Sequence, residues 1–251
     1  MLKIRRFLQY RICSFCKQEF LSYSVERVNN KEYICCQCKR ANGYSMRNTN
    51  SKGKQSTISF SFEFETSSSS RELYELLKYK FLGCHDASIE GLEWKSPIFY
   101  SRKSFHCICR KIEKFARFVG NSCGTHLHVG TPYKNILEQY KYEIFSPILE
   151  EMKNNERKTK KFWGRYFNHY CNYEIENGRY NAFNTRSSVE TLEFRLLKFK
   201  SAEQYIKASD FCIDITKLIN ISIAREELNH EKALNLGKII ADKYKEVIQN
   251  V

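Results

Sequence analysis

Several things are scarce in this chain of 251 residues: three prolines, ten glycines, two tryptophans and three methionines. So little proline and glycine leaves no proline-rich or glycine-rich low-complexity tract, and no internal repeat is found. No apolar run approaches the roughly 18 residues that a membrane-spanning helix needs. The opening Met1-Leu2-Lys3-Ile4-Arg5-Arg6-Phe7-Leu8 lacks the apolar stretch and small-residue cleavage site of a signal peptide. The expectation is a cytoplasmic protein with no membrane partner. Acids are outnumbered, 28 Asp and Glu against 42 Lys and Arg, a net charge of +14. With 42% hydrophobic and 14% aromatic residues the chain has the material for a real core, which excludes disorder. Abundant Lys, Asn, Ile and Tyr suit an AT-rich bacterial or phage genome.

Cysteine, by contrast, is plentiful, at eleven residues. Without an export signal these are expected to be reduced. Cys13-x-x-Cys16 and Cys35-x-x-Cys38 form two knuckles separated by 18 residues, with an extra Cys36 inside the second. Two such pairs fit a tetrahedral four-thiolate Zn²⁺ site, and a segment of about 40 residues needs the metal to fold. The segment is also the most basic: residues 1–55 hold 12 Lys and Arg against 3 Asp and Glu, or +9. The division is therefore a zinc-ribbon-like module at 1–42, a polar linker at 43–56 and a larger domain at 57–251. The module's basic residues, interleaved with Tyr10, Tyr23, Tyr33 and Tyr44, suit either phosphate contacts on a nucleic acid or docking on a protein. The remaining cysteines, including Cys84, Cys123 and Cys171, read as small buried apolar groups.

From Thr57 onward strand and helix patterns alternate. Strands are expected at Thr57–Thr66, Gly91–Tyr100, Thr125–Val129 and Val189–Lys200. Helices are expected at Arg71–Phe81, Lys103–Val119, Tyr133–Asn154, Ala202–Glu226 and Glu231–Gln249. Each strand is half polar, which suits a mainly antiparallel sheet with one functional face and helices on the other, an α+β architecture.

The chemistry is concentrated in short signatures within those strands. Side chains two apart on a strand share a face, so Glu63 goes with Glu65, His126 with His128, and Glu193 with Arg195. Glu93 lies early in its strand, after the glycine turn at Gly91, with Asp86 and Glu90 upstream. Paired Glu and His on strands are poor core residues and good ligands for divalent cations. Arg165, Arg179 and Arg186 are candidates for phosphate or carboxylate contacts, since a guanidinium fork matches both oxyanions.

In this order, Glu63-Phe64-Glu65, the Asp86 to Pro97 segment with Glu93, Gly124-Thr125-His126-Leu127-His128 and Glu193-Phe194-Arg195 resemble the carboxylate-amine ligase superfamily of glutamine synthetase and glutamate-cysteine ligase. The likeness is nearest to its small amidoligase branch and covers about Thr57 to Lys200. The resemblance implies a curved, glutamine-synthetase-like sheet and an enzyme that uses ATP and two or more Mg²⁺ ions. It implies Glu63, Glu65, Glu93, His126 and Glu193 as Mg²⁺ ligands, His128 near the nucleotide and Arg195 steadying phosphate in transfer. Such an enzyme phosphorylates a carboxylate and lets an amine displace the phosphate; Arg186 as a further catalytic group and Arg179 on the cofactor are expectations from residue type, outside the resemblance. The enzyme's substrates would be a carboxylate and an amine, small or borne on a peptide or protein, and part of the site can come from a neighbouring subunit in an oligomer. Two rival readings of the same residues are a metal-dependent phosphoesterase and a zinc-ribbon nucleic-acid-binding protein with a scaffold domain.

Overall fold

The computed structural model describes residues 10–12, 17–21, 25–27, 33–35, 58–85, 89–121, 123–168, 171–173, 175, 180–187, 190–249 and 251. Four short strands lie among the described residues up to 35, β1 (Tyr10–Ile12), β2 (Glu19–Leu21), β3 (Val25–Arg27) and β4 (Tyr33–Cys35), and they form two antiparallel pairs. Cys13, Cys16, Cys38 and the linker lie outside the described residues, as do Asp86 and Arg179; of Cys35 only the backbone is described, at the end of β4.

The remaining strands are β5 (Phe60–Glu65), β6 (Leu82–Cys84), β7 (Glu93–Lys95), β8 (Thr125–Gly130), β9 (Phe183–Asn184) and β10 (Thr191–Phe194). They form one antiparallel sheet in the order β6-β7-β5-β8-β10-β9. The α-helices among the described residues are α1 (Arg102–Ile112), α2 (Lys134–Gln139), α3 (Lys141–Asn154), α4 (Glu156–Trp163), α5 (Ala202–Arg225) and α6 (His230–Gln249). Two 3₁₀ segments, Arg71–Tyr79 and Glu113–Phe118, also occur among the described residues. The architecture is α+β with a six-stranded antiparallel sheet. Among the described residues no helix is long and apolar enough to cross a membrane.

The alternation in the strands decides which face meets the helices. Phe60, Phe62, Phe64, Leu127, Val129, Leu192 and Phe194 are all at most 2% exposed. Phe62 packs edge-on against Phe105 of α1 and beside Tyr205 of α5, with ring centroids 5.7 and 5.5 Å apart. Each such side chain contributes about 1.5–3 kcal/mol on leaving water. Behind this layer α3 and α6 pack closely: a Cβ at Gly237 of α6 would come within 2.3 Å of the Glu143 carbonyl oxygen.

Several expected elements differ: the helix expected over Arg71–Phe81 is the 3₁₀ segment Arg71–Tyr79, and the one expected over Lys103–Val119 is α-helical only at Arg102–Ile112 before the 3₁₀ segment Glu113–Phe118. The strand expected over Gly91–Tyr100 pairs regularly only at Glu93–Lys95. Ser96 Oγ accepts from the Phe62 amide at 2.9 Å in place of a ladder carbonyl, and Pro97, which has no amide hydrogen, follows. The strand expected over Val189–Lys200 keeps its ladder only at Thr191–Phe194, because the chain beyond turns to other partners: Arg195 N donates to Ala182 O and Lys198 N to Trp163 O. The helix expected over Tyr133–Asn154 is two helices, since Tyr140, with φ −110° and ψ 20°, leaves the α region. One cysteine also departs from expectation. Cys84 ends β6, which lies beside β3, and it is disulfide-bonded, whereas Cys107, Cys109, Cys123, Cys171 and Cys212 carry free thiols.

Candidate metal centre

The face of the sheet turned away from α1 and α5 is polar, and strand register arranges it in rows. Glu63 on β5 stands between Lys95 on β7 and His126 on β8. In the next row Ser61 pairs with His128, His128 with Glu193 on β10, and Glu193 with Asn184 on β9. Glu65 stands opposite Glu93.

These side chains meet. His126 places Nδ1 3.5 Å from both Glu63 Oε2 and Glu193 Oε1, and Nε2 3.5 Å from Glu65 Oε1. His128 Nε2 lies 3.6 Å from Glu63 Oε2. Lys95 forms ion pairs with Glu63 and Glu93, and Arg195 Nη1 donates to Glu193 Oε1 at 2.5 Å. The structure thus brings Glu63, Glu65, Glu93, His126, His128, Glu193 and Arg195 together on one face.

Burial makes this arrangement costly unless a cation completes it. Glu65, Glu93, His126, His128 and Glu193 are each at most 8% exposed. Among the described residues, four carboxylates face three permanent cations, Lys95, Arg195 and Arg165, which leaves a net negative charge largely out of water. A second observation points the same way. His128 Nε2 is buried with no hydrogen-bond partner, while its Nδ1 is held by Thr191 Oγ1 at 3.3 Å. One ligand atom from each of Glu63, His128 and Glu193 lies within 4.8 Å of the other two, a spacing that suits one divalent cation. Carboxylate oxygens with a single imidazole, their outer sides steadied by hydrogen bonds, form a donor set that suits a divalent cation.

The electrostatics are consistent with that layout. Burial opposes ionisation of Glu63, but the Lys95 ammonium and the His126 and His128 rings outweigh it and hold the carboxyl well below its ordinary value. Glu193 is likewise lowered against its burial, by His128, His126 and Arg195. Burial disfavours the charged form of His128, yet Glu63 and Glu193 together raise its value.

Neighbours hold the carboxylates in place. Asn184 Nδ2 donates to Glu193 Oε2 at 2.6 Å, and the Gly124 amide donates to Glu65 Oε2 at 2.5 Å. A Cβ at Gly124 would come within 3.0 Å of both Arg165 Nη1 and His126 Nε2, so glycine lets the strand approach. Arg165 is 7% exposed, donates to the Arg195 carbonyl, and leaves its buried Nε without a partner. Arg186 is placed differently: on an exposed side chain, its Nε meets Glu138 Oε1 at 2.7 Å.

Sequence reasoning missed Lys95, Thr191 and Asn184. Lys95 was accessible to it, because a residue two beyond Glu93 shares that residue's face. Asn184 was not, since a two-residue strand has no period to read. No protein-family model and no curated protein matches this chain.

Proposed function

We propose that the chain is an ATP- and Mg²⁺-dependent ligase that joins a carboxylate to an amine. The observation that carries this reading is the convergence of the ordered strand signatures on one buried, negatively charged face with an unpartnered imidazole nitrogen aimed into it. Glu63, His128 and Glu193 would hold the cation, with Glu65, Glu93 and His126 around them. Bound there, Mg²⁺ supplies charge neutralisation for phosphate oxygens. Arg195, fixed by Glu193 and lying 5.6 Å from the Tyr180 ring centroid, offsets charge on a transferred phosphoryl group. The buried face excludes water that would otherwise compete with an amine for the activated carboxylate. In this reaction the γ-phosphoryl group passes from ATP to the carboxylate, and the amine displaces phosphate to leave an amide.

The same proposal assigns residues 1–42 to a zinc-ribbon module held by Cys13, Cys16, Cys35 and Cys38. Its support is the two knuckles and the two antiparallel pairs, with Cys13 and Cys16 falling between β1 and β2 and Cys35 ending β4. Its basic composition suits recruitment of a nucleic acid or an acidic protein.

The test is release of ADP and phosphate from ATP and Mg²⁺. The expected result is turnover that needs a carboxylate and an amine together. Hydrolysis of ATP or of a phosphate ester with water alone would assign the face to a phosphoesterase instead.

A further inference from the structure

We infer that the sheet face is built for one divalent cation, because the ammonium of Lys95 fills the place of a second. This rests on the metal-centre reading above and narrows it.

Lys95 stands directly opposite Glu63 across the β7–β5 pair and two residues beyond Glu93 on its own strand, so all three side chains leave the same face. Its Nζ forms ion pairs with Oε1 of both. A cation held between carboxylates of two neighbouring strands is the arrangement that a second Mg²⁺ would adopt. Here it is covalently part of the chain.

Glu63 divides its two oxygens accordingly. Oε1 faces the ammonium, while Oε2 faces His126 Nδ1 at 3.5 Å and His128 Nε2 at 3.6 Å, on the side of Glu193. The exchangeable site is therefore the Glu63, His128, Glu193 side, and the Glu63, Glu93 side is closed to metal. Lysine suits the post, since a compact ammonium with three donors can bridge two carboxylates without the six oxygen ligands that Mg²⁺ demands.

The experiment is a Mn²⁺ titration of the full chain, with free Mn²⁺ read by electron paramagnetic resonance. Ions held elsewhere are subtracted with the Glu63→Gln/Glu193→Gln double variant. The wild-type chain should bind one Mn²⁺, Lys95→Arg one, and Lys95→Met two, with spin coupling between the pair. Two ions in the wild type, or one ion in a folded Lys95→Met chain, would overturn the inference while leaving the metal centre standing. No ion in the wild type overturns both. Should Lys95→Met fail to fold, the wild-type and Lys95→Arg counts decide by themselves.

Discussion

Glu63 and His126 face each other across the β5–β8 pair, carboxylate Oε2 to imidazole Nδ1 at 3.5 Å, and the same nitrogen lies 3.5 Å from Glu193 Oε1. One imidazole therefore gathers carboxylates from two strands on either side of its own. Because β8 lies between β5 and β10, the ligand groups of three strands depend on the central strand keeping its register. That dependence leads to measurable expectations.

Thr191→Val should weaken Mn²⁺ binding about 10- to 100-fold, the usual effect of losing an outer partner of a metal-bound histidine. Thr191 Oγ1 holds His128 Nδ1, which fixes the ring so that Nε2 points into the triad. Calorimetric titration of the variant checks this. Unchanged affinity would remove His128 from the ligand set.

Mg²⁺ should raise the melting temperature of the wild-type chain, since the ion binds the assembled face and not the unfolded chain. At a concentration of 100 times Kd the gain is about 2.7 kcal/mol. Glu193→Gln should abolish most of the gain, and monovalent salt at matched ionic strength should not reproduce it. Differential scanning fluorimetry with and without the ion is sufficient.

In the absence of metal, Lys95→Met should cost about 3–5 kcal/mol, because it leaves Glu63 and Glu93 without the ammonium that bridges them. Adding Glu93→Gln should recover part of the loss by removing one stranded charge. Urea unfolding of the two variants measures both effects, and a double variant no more stable than the single one would contradict the bridging role.

Acid should loosen the loop that carries Arg186. Burial works against ionisation of Glu138, but Thr185, Arg186 and Lys141 outweigh it and lower its value. A carboxyl depressed in the folded state contributes stability above its unfolded value, about 4.3, and that contribution is lost as pH falls through the folded value. The stability difference between wild type and Glu138→Gln should therefore shrink as pH drops below about 4.3. A difference that stays constant or grows on acidification would rule out this anchor.

Tyr244→Phe should destabilise the helical layer by about 1–3 kcal/mol. The Tyr244 hydroxyl meets Thr159 Oγ1 at 2.9 Å and accepts from Trp163 Nε1 at 3.2 Å; Thr159 Oγ1 keeps its bond to the Met152 carbonyl, so the loss strands the buried indole N–H. Chemical denaturation followed by Trp163 emission reports it directly.

Much of the face was legible from the chain. Period-two alternation is local, so Glu63 with Glu65, His126 with His128, and Glu193 with Arg195 were placed together before any fold was known. The antiparallel sheet and both closing helices, Ala202–Arg225 and His230–Gln249, were readable from the same periodicities. Tertiary structure decided everything that depends on which strand lies beside which. Strand order set β8 between β5 and β10, register set Glu63 opposite both Lys95 and His126, and a pairing across the sheet, not a motif, turned Lys95 into a bridging cation. Periodicity carries the direction of a side chain from its own backbone, whereas contact between residues 32 or 63 positions apart is settled by hydrogen bonding and packing among strands brought together only on folding.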